Sequence, residues 1–326
     1  MPDKSTLLGR IDLRAPELML SSPPRWHDRN KKALFEHVCP PGTKHVGTVT
    51  FARWAQRPLP LTTLWADKPL AGELRPDVFQ YAPRTEARPG VEWHLNFAHA
   101  SLFMAYGGPL LAQDELQVVE HPVLAAVREC LTKFGDPRLQ PLTREGQIAT
   151  PVLIRGAQRR CAVTTDELYG NAFARAPIDK ILRATRVLQP PTISNILAME
   201  APIGGSGRYR AEELHDVLAT AYTGFAAAIE ESRLAPGGKE AEVVIHTGHW
   251  GTGAYGGHRV LMAMLQLIAA RLAGVDRVVF HTVDEAGLDP VHKAIEKLGK
   301  LTSRNLGATI RAIEEMGFMW GAPNGT

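Results

Sequence analysis

Eleven residues, Thr247-Gly-His-Trp-Gly-Thr-Gly-Ala-Tyr-Gly-Gly257, constrain this chain more than any other stretch. Five are glycine and two are aromatic. The apolar run Val243-Val-Ile-His precedes them, and a helical pattern starts at His258. Strand, glycine loop and helix in that order form an anion cradle. Glycines let backbone N–H groups turn inward and approach a phosphate closely, and the helix adds free N–H groups and a partial positive charge.

A plainer reading makes the loop a tight connection whose glycines only permit close packing. It is not a P-loop, because no Lys-Ser/Thr pair follows the glycines. Nor is it the usual dinucleotide fingerprint, because it lies late in the chain with no early βαβ unit before it. Trp250 and Tyr255 either pack on a ribose or base, or plug the loop onto the core.

With 44% apolar residues in 326, the chain can bury a large core. The 37 basic and 34 acidic side chains nearly balance, so direct nucleic-acid binding is not expected. The three cysteines, Cys39, Cys130 and Cys161, show no CxxC spacing. They suggest neither a disulfide scaffold nor a structural zinc site. No HExxH or three-histidine spacing appears, so neither a metal nor a cofactor is expected. Without a secretory leader or an apolar run of about 18 residues, a cytoplasmic protein with no membrane partner is expected.

Prolines punctuate residues 1–87, which read as an accessory layer, mostly helical or irregular, with short helices at Asp28–His37 and Phe51–Ala55. The texture changes at Val91. Val91–Ala98 alternates with period two and predicts a strand. Gln113–Phe134 has helical spacing, with Pro122 as a break or kink. Further strands are predicted at Pro151–Arg155, Ile193–Met199, Val243–Thr247 and Arg277–Val283, and helices at Ala211–Ile229, His258–Leu272 and Leu306–Met316. Strands alternating with helices indicate an α/β fold. The charged stretch Arg155–Arg160 reads as a strand end turning into solvent, and His246 as a packing residue.

Gln113-Asp114-Glu115 is the second constellation. Acids in a first helical turn ordinarily just complement the helix dipole. The functional reading is acid–base chemistry at a glycosidic bond. Adjacent helical residues point about 100° apart, so the two acids would divide the work, while the glutamine amide fixes either one.

These residues together resemble the poly(ADP-ribose) glycohydrolase family. The 247–257 loop looks like that family's TGNWGCGAFGG, and Ala221-Tyr-Thr-Gly-Phe225 like its AYCGF. Phe97-Ala98 through Gln113-Asp114-Glu115 aligns without a gap on its FAN…GGG…QEE. The resemblance implies a macrodomain-like mixed sheet between helices over residues 88–326, with residues 1–87 as an N-terminal accessory region. It implies Glu115 as catalytic acid and Asp114 as the acid that contacts the ribose. The implied substrate contacts are Gln113, His99, Thr247, Gly248, His249, Trp250, Gly251, Thr252, Gly253, Ala254, Tyr255 and Gly256. Three positions depart from the family. Its triple glycine falls on Phe103-Met104-Ala105, where bulk would narrow the pocket and Gly107-Gly108 would compensate. Its ribose-holding asparagine falls on His99. Its tyrosine clasp is nearest to Tyr169-Gly170-Asn171-Ala172.

The expected activity is hydrolysis of the O-glycosidic ribose linkage of poly(ADP-ribose) or a related conjugate. The partner is then ADP-ribose or an ADP-ribosylated macromolecule. The alternatives are an ADP-ribose-binding module that does not cleave, or a hydrolase of another ADP-ribosyl or nucleotide-sugar linkage.

Overall fold

The computed structural model describes residues 6–62, 71–82, 84–86, 89–235 and 237–323. In chain order the strands are β1 (Leu7–Arg14), β2 (Thr48–Trp54), β3 (Ala71–Arg75), β4 (Gly90–Ala98), β5 (Arg144–Glu145), β6 (Ile148–Ala149), β7 (Val152–Val163), β8 (Thr185–Glu200), β9 (Glu242–Gly248) and β10 (Arg277–His281). The helices are α1 (Ala15–Ser21), α2 (Arg29–Val38), α3 (Gln113–Glu120), α4 (Pro122–Leu131), α5 (Ala172–Arg175), α6 (Ile178–Arg183), α7 (Ala211–Arg233), α8 (Arg259–Ala273), α9 (Leu288–Gly299) and α10 (Leu306–Glu315).

Eight strands form one mixed sheet in the order β1-β2-β7-β8-β4-β9-β10-β3. From β8 to β3 neighbouring strands are parallel, and from β1 to β8 they are antiparallel. The side-chain alternation of a strand splits its residues between two cores. Trp93, Leu95, Leu197 and Ile245 face α7 and α8. Ala98, Ile154, Ile196 and Ala198 face the other way, among residues of α1 and α4. Pro122 separates α3 from α4, as its missing N–H requires.

Three sequence expectations are corrected. Residues 1–87 supply β1, β2 and β3 to the main sheet, so they do more than form a helical or irregular layer. Phe51–Ala55 is not a helix, because Thr48–Trp54 is a strand buried from Val49 onward. Arg155–Arg160 also does not turn into solvent: it continues β7 to Val163, and Arg159 is buried against Glu120 with Nε 2.9 Å from Oε2.

Candidate active site

The parallel strands β8, β4, β9 and β10 end together, with Ala98 beside Glu200 and Gly248 beside His281. The candidate site residues gather there, where open α/β sheets place their ligands.

Gln113 attaches the acid helix to β4. Its Nε2 donates to Leu95 O at 3.0 Å, and its Oε1 accepts from Phe97 N–H at 2.8 Å. The amide copies a neighbouring strand, so it fixes the strand end and neither acid. Asp114 is buried and accepts from Asn96 Nδ2 at 3.0 Å. Burial and then the Glu115 charge push its carboxyl up to about 7. Glu115 Oε2 accepts the Ala112 N–H at 3.0 Å, closing the first turn of α3. Its Oε1 has no hydrogen bond to a described residue. The ordinary capping role and a free carboxyl oxygen therefore coexist on one side chain.

His99 follows β4 directly. Its Nδ1 accepts the Ser101 N–H at 3.0 Å, and Thr143 Oγ1 donates to its carbonyl at 2.9 Å. An accepting Nδ1 puts the ring proton on Nε2, so His99 presents a donor.

Phe103 has φ +53°, a left-handed conformation that normally selects glycine. Its side chain is completely buried in the core beneath α4. The turn thus keeps a glycine-type backbone with the bulk directed inward. Met104 is half exposed. Gly107 serves packing: its carbonyl accepts N–H groups from His27 and Asp28, both at 2.9 Å, and a Cβ there would lie 2.5 Å from Arg25 O. The N-terminal segment therefore clamps this turn. Lys31, fully buried on α2, donates from Nζ to Tyr106 O at 2.8 Å. Burial lowers its pKa to about 8 against the opposing charges of Glu115, Asp28 and Asp114.

The glycine loop has two sides. Trp250 is fully buried, and its Nε1 donates to Met199 O at 3.0 Å. Its side chain is a plug, which corrects its expected role as a ligand surface. Thr247 is equally buried, with its hydroxyl on Gln266, so its side chain also cannot meet a ligand. The His249 ring stands edge-on to Phe280 at 5.5 Å, both ring nitrogens are buried, and burial lowers its pKa to about 4. It does not approach a phosphate as a cation. Gly251 has φ +73°, and a Cβ there would lie 2.5 Å from Ala201 Cβ, so close packing accounts for this glycine. On the other side, the N–H groups of Gly253, Ala254 and Tyr255 take no acceptor among the described residues, whereas those of Thr252 and Gly256 bond within the loop. Three unpaired donors in succession suit an anion.

Tyr255 is partly buried, and its hydroxyl donates to Glu200 Oε1 at 3.1 Å. Burial and then the Glu200 charge raise its phenol pKa. The clasp candidate lies beside the acid helix: Gly170 and Leu111 exchange backbone hydrogen bonds at 2.9 and 3.3 Å, and Tyr169 is 46% exposed. Sequence reasoning missed Lys31, Arg144 and Glu200. Each is a charged side chain whose burial appears only once distant elements pack. Among the described residues no group of three or more His, Cys, Asp or Glu side chains is arranged to hold a metal.

No curated protein matches the chain at a meaningful level. Solved structures resemble it at low identity. The poly(ADP-ribose) glycohydrolase of Thermomonospora curvata is 18% identical, with a TM-score of 0.48, 89% of this chain covered and 85% of that one. The same protein bound to the inhibitor ADP-HPD gives 17% identity, a TM-score of 0.49 and the same coverage of 89% and 85%. The Deinococcus radiodurans enzyme in complex with ADP-ribose gives 15%, a TM-score of 0.47, and coverage of 89% and 95%. The family described as poly(ADP-ribose) glycohydrolase, macro domain fold, matches residues 148–289. That segment runs from β6 through β10 and holds the glycine loop, and over it the chain is similar to the poly(ADP-ribose) glycohydrolase family with its macro domain fold.

Proposed function

We propose that this protein hydrolyses the O-glycosidic ribose linkage of poly(ADP-ribose) or a closely related ADP-ribose conjugate, with Glu115 as general acid and base. The observation that carries the reading is the row of unpaired N–H groups at Gly253–Tyr255, set at the same end of the sheet as the acid pair. The loop holds the ligand's diphosphate. Asp114 and the Nε2–H of His99 hold ribose hydroxyls. Gln113 contributes by fixing the strand end.

Burial and the Glu115 charge favour a proton on Asp114 near neutral pH, which makes that carboxyl a donor to a ribose hydroxyl; Glu115 is the general acid and delivers its own proton. Glu115 gives it to the leaving ribose oxygen as the bond to the anomeric carbon breaks. The same carboxylate then takes a proton from water, whose oxygen bonds to that carbon, and the residue returns to its starting state. The burial of the Phe103 ring in the core supports the reading that bulk at the family's triple-glycine position is compatible with this activity.

The test is incubation of the purified protein with poly(ADP-ribose) and with mono-ADP-ribosylated protein. Free ADP-ribose should appear with the wild type and drop at least a hundredfold with Glu115→Gln. Undiminished release by E115Q removes the catalytic assignment. Tight ADP-ribose binding with no turnover on either substrate supports the binding-module alternative, in which Glu115 only caps α3.

A further inference from the structure

We infer that Glu200 is a positioning residue that couples the glycine loop to the strand end carrying His99. This inference rests on the proposed ADP-ribose site.

Glu200 is the last residue of β8, and its side chain is fully buried. One oxygen, Oε1, is shared by two donors from two different loops. The Ala100 N–H reaches it at 2.8 Å from the turn after β4, and the Tyr255 hydroxyl at 3.1 Å from the glycine loop. The other oxygen, Oε2, lies 3.3 Å from Arg144 Nε without a hydrogen-bond angle, so charge alone joins them. Arg144 is anchored in turn by Thr220 at 3.1 Å, the Gln147 carbonyl at 3.0 Å and Asp216 at 3.3 Å. The carboxylate is therefore held from the α7 side and spans the two loops that must close on one ligand.

A buried carboxylate with one formal hydrogen-bonding oxygen is costly unless its partners stay in place. Ala100 is adjacent to His99, and Tyr255 carries the last of the three N–H groups that take no acceptor among the described residues. Moving either donor away leaves the charge less compensated, so the two loops hold their spacing together. Tyr255 acts here through its hydroxyl as a strut.

The test is a double-mutant cycle on ADP-ribose affinity by calorimetry, with thermal stability measured in parallel. Glu200→Gln and Tyr255→Phe should each weaken binding about tenfold. The double variant should bind no worse than the weaker single, because both changes cut one strut. Additive losses, or wild-type affinity in E200Q, overturn the inference. A change in melting temperature with unchanged affinity also overturns it, since that marks a merely structural carboxylate. Should E200Q not fold, Glu200→Asp keeps the charge for Arg144 while shortening the reach to Tyr255 and Ala100, and the same cycle applies. If the wild type itself binds no ADP-ribose, the site reading fails and takes the inference with it. Wild-type binding with additive variants removes the inference alone.

Discussion

Asn96 on β4 donates its amide to Asp114 Oδ1 at 3.0 Å, and both residues are buried. The helix that carries Glu115 is thereby tied to the sheet through a side chain whose protonation changes near neutral pH. The Asp114 carboxyl, pushed up to about 7 by burial and by Glu115, stabilises the fold while it is protonated. That contribution is complete below about pH 4, where the unfolded chain is protonated too, and it is lost as pH rises through 7.

Asp114→Asn removes this dependence. Wild type and variant should be close in stability at pH 4.5. At pH 8 the wild type should fall behind by a few kcal/mol, at about 1.4 kcal/mol for each pH unit that separates the folded carboxyl from the unfolded one. Melting curves of both proteins across that range are the check. A stability gap that does not change with pH would contradict the burial argument.

Phe103 opposes two effects of known size. Its left-handed backbone costs about 1–2 kcal/mol for a residue with a Cβ. Its fully buried ring contributes about 3–5 kcal/mol relative to a small residue. Burial wins, so Phe103→Gly should destabilise by about 2–3 kcal/mol in urea despite relieving the strain. A stabilised variant would show that the ring packs poorly and that the turn is simply a strained glycine site.

The part of the fold around the glycine loop was legible because three independent signals coincide there. An apolar run, a cluster of glycines and a 3.6-residue period meet at Val243–Leu272, and β9, the loop and α8 fall on them. β2 was misread because it is buried on both faces and shows no alternation to separate strand from helix. Glu115 and Asp114 were visible through their place in a motif. Glu200 was not, because one acid at a strand end is ordinary until Tyr255, 55 residues later, is folded against it.

Arg159 shows the same limit, since its partner Glu120 lies 39 residues earlier. The pair is buried, and Glu120 Oε1 also accepts the Val163 N–H at 2.8 Å. Removing one charge strands the other in a low dielectric. Arg159→Met should cost about 3–5 kcal/mol in denaturant, and adding Glu120→Met should recover much of the loss. A double variant as unstable as the single would mean that Arg159 acts mainly through its stacking on Tyr81, where the guanidinium carbon lies 4.5 Å from the ring centroid.

Acid stability tests the histidines beneath the site. His94 stacks on His246 at 4.3 Å, and His246 Nδ1 lies 3.0 Å from His281 Nε2. Burial lowers His94 well below its usual value, His281 to about 4 and His121 to about 3. A base depressed on folding contributes stability above the unfolded value of about 6.5, and loses it as pH falls toward the folded value. Between about pH 6.5 and 4 these three imidazoles favour the unfolded state, while Asp114 favours the folded one. The histidines outnumber it, so the wild type should lose stability steadily as pH falls through that window. His94→Phe keeps a ring between Tyr81 and His246 and removes one proton from the balance. Its stability should therefore fall less steeply, by about 1.4 kcal/mol per pH unit, in denaturation curves from about pH 6.5 to 4.5. Equal slopes for the two proteins would mean that His94 is protonated in the folded state, contrary to its burial.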